Sequence, residues 1–159
     1  MKRKLIAAAL ATALLAAPAT AADYLGVYGG YFDISQDDNA AAQFGIEYRW
    51  SEVLYGIRPG VGANVTSDGA LYGYGGIFWD IPLHERVIFT PNFVAGLYED
   101  GDGKKLGHAV EFRSGLELSY QFESQQRLGV AFNHISNASL GSRNPGSETL
   151  LLIFQQPLP

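Results

Sequence analysis

The sequence predicts an all-β protein, an eight-stranded antiparallel transmembrane β-barrel behind an export signal. Three observations lead there. Apolar residues recur with period two along most of the chain. The residues between them are mixed charges and glycines rather than a lysine-rich surface. Aromatic residues fall near the ends of the alternating segments. Composition agrees: hydrophobic residues make up 47%, aromatics 13% and charged residues only 17%, with 19 glycines in 159 residues. That much apolar and aromatic surface excludes a disordered chain. Beyond the N-terminus no stretch approaches the roughly 18 consecutive apolar residues of a helical span. With no cysteine, neither a disulfide framework nor a thiolate metal site can form.

The N-terminus reads as a signal peptide over residues 1–22, leaving a single barrel domain over 23–159. Lys2, Arg3 and Lys4 form a basic start, Leu5 to Ala17 an apolar stretch, and Pro18-Ala19-Thr20-Ala21-Ala22 supplies small residues for cleavage after Ala21 or Ala22. No cysteine follows, so a lipoprotein anchor is excluded. With three of the 11 basic residues removed, eight remain against 16 acidic ones, which argues against nucleic-acid binding.

In the segment 40–50, Ala42, Phe44, Ile46, Tyr48 and Trp50 share one parity, with Gln43, Glu47 and Arg49 between them. In 108–121, Val110, Phe112, Leu116, Leu118 and Tyr120 alternate with Glu111, Arg113, Glu117, Ser119 and Gln121. Side chains on a strand alternate faces, so each segment has an apolar and a charged face. Comparable segments are expected near 23–33, 53–64, 69–81, 86–99, 126–136 and 147–155. Polar or Gly/Pro-containing turns separate them, including Gln36-Asp37-Asp38-Asn39, Gly101-Asp102-Gly103 and Asn144-Pro145-Gly146. In 23–33 the parity is ambiguous, because Tyr24, Tyr28 and Phe32 compete with Leu25, Val27 and Tyr31.

A soluble barrel would need the Phe, Leu and Trp faces as its core and would then show a glycine-rich, lysine-poor surface. An outer-membrane barrel turns those faces to lipid. Its narrow lumen would hold Gln43, Glu47, Arg49, Arg58, Glu111, Arg113, Glu117 and Arg127 as an ion-pair network. Tyr48, Trp50, Tyr55, Trp79 and Tyr120 would form interfacial girdles. The membrane barrel fits better, and the export signal supports it independently.

The last hairpin departs from the pattern. In 126–136 the outward row runs Leu128, Val130, Phe132, His134, Ser136. In 147–155 the parity assigned outward runs Glu148, Leu150, Leu152, Phe154. Three polar groups thus continue lipid-facing rows. With both termini in the periplasm, they sit at the extracellular end, level with the outer leaflet. Hydrogen-bonding groups facing lipid are costly unless paired. Ser136 as nucleophile, His134 as base and Glu148 as the acid orienting the imidazole would make a triad for acyl transfer. Polar residues at strand ends in the headgroup region fit the same pattern without any catalysis.

His134-Ile135-Ser136-Asn137-Ala138, followed by Asn144-Pro145-Gly146-Ser147-Glu148, resembles the closing motif of the lipid A 3-O-deacylase (PagL) family of Gram-negative outer membranes. The resemblance covers about the last 25 residues. It implies a cofactor-free serine esterase that removes the acyl chain at position 3 of the lipid A glucosamine, with lipopolysaccharide as its partner. It assigns catalysis to His134, Ser136 and Glu148 and oxyanion binding to Asn137, helped by backbone amides of the following loop. A non-catalytic surface barrel, or a phospholipase or acyltransferase with the same triad, are the alternatives. One departure is the C-terminus, where Phe154 is followed by Gln155-Gln156-Pro157-Leu158-Pro159 rather than being terminal.

No metal site is expected. His84 and His108 share a face with no second ligand, and Glu99-Asp100-Gly101-Asp102-Gly103 lacks the calcium-loop pattern. Lys104, Lys105 and Arg143 are the basic residues of the extracellular loops, either meeting lipid A phosphates or solvated.

Overall fold

The computed structural model describes residues 22–35 and 39–159; the expected signal peptide, apart from Ala22, and residues 36–38 of the first turn lie outside them. The described residues alternate strand and turn: β1 (Tyr24–Phe32), β2 (Ala41–Arg49), β3 (Ile57–Thr66), β4 (Leu71–Trp79), β5 (Ile81–His84), β6 (Val87–Glu99), β7 (Val110–Gln121), β8 (Arg127–Ser136) and β9 (Ser147–Pro157). Chain neighbours pair antiparallel. β1 pairs with β9, and both β4 and β5 pair with β6. The last two are one stave interrupted at Asp80, so the sheet closes into eight staves with no free edge.

Two boundaries differ from the sequence expectation for a local reason. The third strand begins at Ile57 rather than 53, because Tyr55 (φ 45°) and Gly56 (φ 83°) take left-handed conformations in a tight turn. Only glycine fits at 56, since a Cβ there would lie 2.3 Å from the Asp80 carbonyl oxygen. At the fourth stave, the Asp80 N–H binds Gly56 O at 2.8 Å in the β3–β4 register, and Asp80 keeps the inward parity of Tyr72, Tyr74 and Phe78 while the stave runs on along β6 as β5.

The barrel is inverted relative to a soluble one. Leu118, Val130 and Leu152 are each more than half exposed on the outside, while Glu47, Arg49, Glu117 and Gln155 are buried within. In β1 the ambiguity resolves with Tyr24, Tyr28 and Phe32 inward. The tyrosines fill space that glycines vacate. A Cβ on Gly45 would collide with the Tyr28 ring at 2.2 Å, and one on Gly62 with the Tyr74 hydroxyl at 2.4 Å.

Buried charges are tolerable only when paired with good geometry. Arg49 bridges Glu47 (2.6 Å) and Glu117 (2.5 Å), and Arg113 reaches Glu47 at 3.5 Å. Tyr74 donates to Glu47 at 2.8 Å, and Gln155 to Glu117 at 3.0 Å. Nearer the chain termini, Asp80 gathers Arg58 (2.8 Å), Arg127 (2.7 Å) and the Thr90 hydroxyl (2.9 Å). Guanidinium groups also stack on rings, Arg113 over Tyr74 at 4.3 Å and Arg127 over Tyr24 at 4.3 Å.

Trp50, Tyr55, Trp79, Tyr120 and Phe122 are exposed on the outer wall at the end carrying both termini. Edge-to-face pairs order this belt, Tyr48 with Trp50 and Tyr120 with Phe122. At the opposite end the β6–β7 loop folds over the barrel mouth. Leu106 and Lys104 are buried, Tyr98 donates to Lys104 O at 2.8 Å, and the Lys104 ammonium pairs with buried Asp33 at 2.5 Å. Lys104 is therefore a packing residue rather than an exposed loop cation.

Candidate active site

The outward rows of β7, β8 and β9 determine the site. In antiparallel register His134 stands opposite Glu148 on one side and Ser114 on the other, and Ser136 stands opposite Phe112. Directly opposed side chains on one face lie close enough to touch. His134 Nδ1 and Glu148 Oε1 are 2.9 Å apart, with His134 46% and Glu148 24% exposed, so the pair is accessible from the outer wall. Since the carboxylate accepts, Nδ1 carries a proton, and Nε2 is the ring nitrogen not engaged by Glu148. The second carboxylate oxygen accepts from the Ser35 hydroxyl, and Ile34 N–H binds Glu148 O at 3.1 Å. Glu148 is thus clamped from both sides, by β8 and by the segment after β1.

Ser136 ends β8, half-buried, on the same outward row as His134. Its hydroxyl makes no hydrogen bond among the described residues; in resting sites such bonds are often long and tighten with substrate. Gly146 (φ 63°) backs the imidazole, with its missing Cβ 3.0 Å from His134 Cε1. Gly146→Ala is expected to push the ring off Glu148 and strain the turn, lowering turnover about tenfold or more while the barrel still shifts mobility on unheated gels.

Asn137 is fully buried, and its donors are committed. Its side-chain NH2 binds Leu106 O (2.9 Å) and Arg143 O (2.8 Å), and its backbone N–H binds Asn144 Oδ1 (2.9 Å). It ties the β6–β7 loop to the turn after Ser136. Ala138 and Ser139 follow in consecutive left-handed conformations (φ 51° and 64°). Sequence reasoning had no signal for Ser35, which reaches Glu148 across 113 positions, and saw Asn144 and Gly146 only as turn residues. Among the described residues no cluster of His, Cys, Asp or Glu could hold a metal ion.

A closed barrel with an apolar outer wall, a charged filled lumen and a His–Glu pair on the outer wall defines the class as an outer-membrane barrel. The family model for the lipid A 3-O-deacylases (PagL) matches residues 23–156, and the chain belongs to that family. Its fold is similar to the crystal structure of the outer membrane enzyme PagL, at a TM-score of 0.61 and 18% identity over 86% of this chain and all of that one. Neisserial surface protein A is similar at a TM-score of 0.61 and 11% identity, over 86% of this chain and 96% of that one. A designed transmembrane β-barrel is similar at 0.65 and 10%, over 89% and 98%. No curated protein matches the chain. The protein is an outer-membrane β-barrel.

Proposed function

We propose that this protein hydrolyses the ester-linked acyl chain at position 3 of the lipid A glucosamine, working from the outer leaflet with Ser136, His134 and Glu148. The observation that supports this reading best is the 2.9 Å His134–Glu148 pair on a lipid-facing wall, with Ser136 on the same row and family membership behind it. A structural barrel gains nothing from an ionisable pair there.

The chemistry follows from the atoms. Ser136 Oγ attacks the ester carbonyl carbon while His134 Nε2 takes its proton. Glu148 holds the imidazole and stabilises its cation. The tetrahedral intermediate collapses, its C–O bond to the sugar breaks, and His134 returns the proton to the departing sugar oxygen. Water then attacks the acyl-enzyme, its proton passing to His134 and on to Ser136 as the fatty acid leaves. The oxyanion draws on the donors left over in the turn, the Ala138 and Ser139 backbone amides and the Asn144 side-chain NH2. Asn137, given as the oxyanion donor by the resemblance, acts here by shaping that turn. No cofactor is required.

Mass spectrometry of lipid A from cells with and without the protein tests this. Expression is expected to remove the mass of one ester-linked acyl chain from 3-O-acylated lipid A, and to release the corresponding free fatty acid. Unchanged lipid A, with folded protein in the outer membrane, would overturn the reading.

A further inference from the structure

The lumen ends, just beneath Ser136, in an acid that the reaction above does not use. Glu111 is fully buried, and neither carboxyl oxygen has a hydrogen-bond partner. No ion pair among the described residues involves it. Register explains what it faces. Phe112 pairs with Ser136, so one step further Glu111 stands opposite Asn137 on the inward face. Directly opposed side chains on one face of a sheet are neighbours, so the Glu111 carboxyl and the Asn137 side-chain amide share that inward face. Both amide hydrogens of Asn137 are already donated, to Leu106 O and Arg143 O, which fixes the orientation of the group. Its Oδ1 is left buried without a donor. Three buried acceptor oxygens therefore lie together, with the His108 backbone N–H the one donor near the carboxyl and none at Asn137 Oδ1.

We infer that Glu111 carries a proton and donates it to Asn137 Oδ1, making Glu111 a positioning residue for the turn that presents Ser136. An ionised carboxylate buried with at most one backbone N–H beside it is costly in such a place, whereas a carboxylic acid supplies the hydrogen that Asn137 Oδ1 lacks. The surroundings agree. Tyr98 and Asp100 place phenol and negative charge nearby, and Tyr72 donates to Glu111 O rather than to its carboxyl. Arg113, two residues along on the same face, is engaged by Glu47 and the Tyr74 ring. The proton completes Asn137: two carbonyls bind its NH2, and an acid binds its oxygen. The turn beside Ser136 is then held from the β6–β7 loop, the β8–β9 loop and β7 at once.

The effect on turnover rests on the triad reading above; the proton itself does not. Infrared spectra of the folded, detergent-purified chain are expected to show a protonated carboxylic acid band that disappears in Glu111→Gln. The glutamine variant, whose NH2 can donate to the same oxygen, is expected to deacylate within about threefold of the parent, while Glu111→Leu loses about tenfold or more. Failure of the leucine variant to fold leaves the infrared band and the glutamine variant to decide. An unchanged carboxylic acid band in Glu111→Gln, or a glutamine variant as impaired as the leucine one, would overturn the inference. Full activity in Ser136→Ala would instead sink the triad and leave the infrared result standing.

Discussion

Ser136→Ala is expected to lower deacylation by roughly 10⁴-fold or more, to the level left by binding and oxyanion contacts alone. The barrel itself should be untouched, because the Ser136 hydroxyl supports no hydrogen bond among the described residues. His134→Ala should match it, since the imidazole acts in the same bond-making step. Glu148→Ala should fall short of both by about one to two orders of magnitude, as the orienting acid of a triad does. Asn137→Ala is expected to cost roughly 10²–10³-fold, through loss of the turn it ties to Leu106 and Arg143. The check is initial rates on 3-O-acylated lipid A in mixed micelles, with heat-modifiable gel mobility as the folding control. Retained activity in Ser136→Ala would remove the nucleophile assigned here.

Asp80→Ala should have the largest effect on stability. That carboxylate sits where the fourth stave breaks and holds the Arg58 and Arg127 guanidinium groups and the buried Thr90 hydroxyl. Removing it leaves two buried cations facing each other across a closed lumen. Breaking a buried pair in this way costs about 3–5 kcal/mol, and here one carboxylate serves two partners. Urea unfolding in detergent, followed by the fluorescence of adjacent Trp79, is expected to show a large fall in midpoint, with little change at the distant His134–Glu148 pair. A shift below about 1 kcal/mol would mean that water enters the lumen and screens the arginines.

The architecture was legible because period-two alternation is a local signal, and β2, β7 and β8 carry it cleanly. Glu148's parity, assigned outward from the sequence, is the observed one. β1 was ambiguous because Gly26, Gly29 and Gly30 blur its pattern and tyrosines occupy both faces. Asp80 follows the alternation of Trp79 and Ile81 and keeps register with β6, but the two arginines it gathers lie on β3 and β8, which no local pattern links to it. The site was legible only as far as neighbours on one hairpin reach. His134, Ser136 and Glu148 share a wall by parity alone. Ser35 against Glu148, Lys104 against Asp33, and Asn137 against Leu106 depend on loops that meet across the barrel mouth, and no spacing announces such meetings.

The packed interior has a consequence for the cell. An open bore of a barrel in an outer membrane is a path for small solutes. Here arginine–carboxylate pairs and tyrosine rings occupy the bore, and a loop closes one mouth. A bore filled in this way offers solutes no such path, so on the proposed reading the number of copies can follow the supply of lipid A without opening the membrane. On the same reading, the water that hydrolysis consumes comes from the headgroup side rather than up the bore.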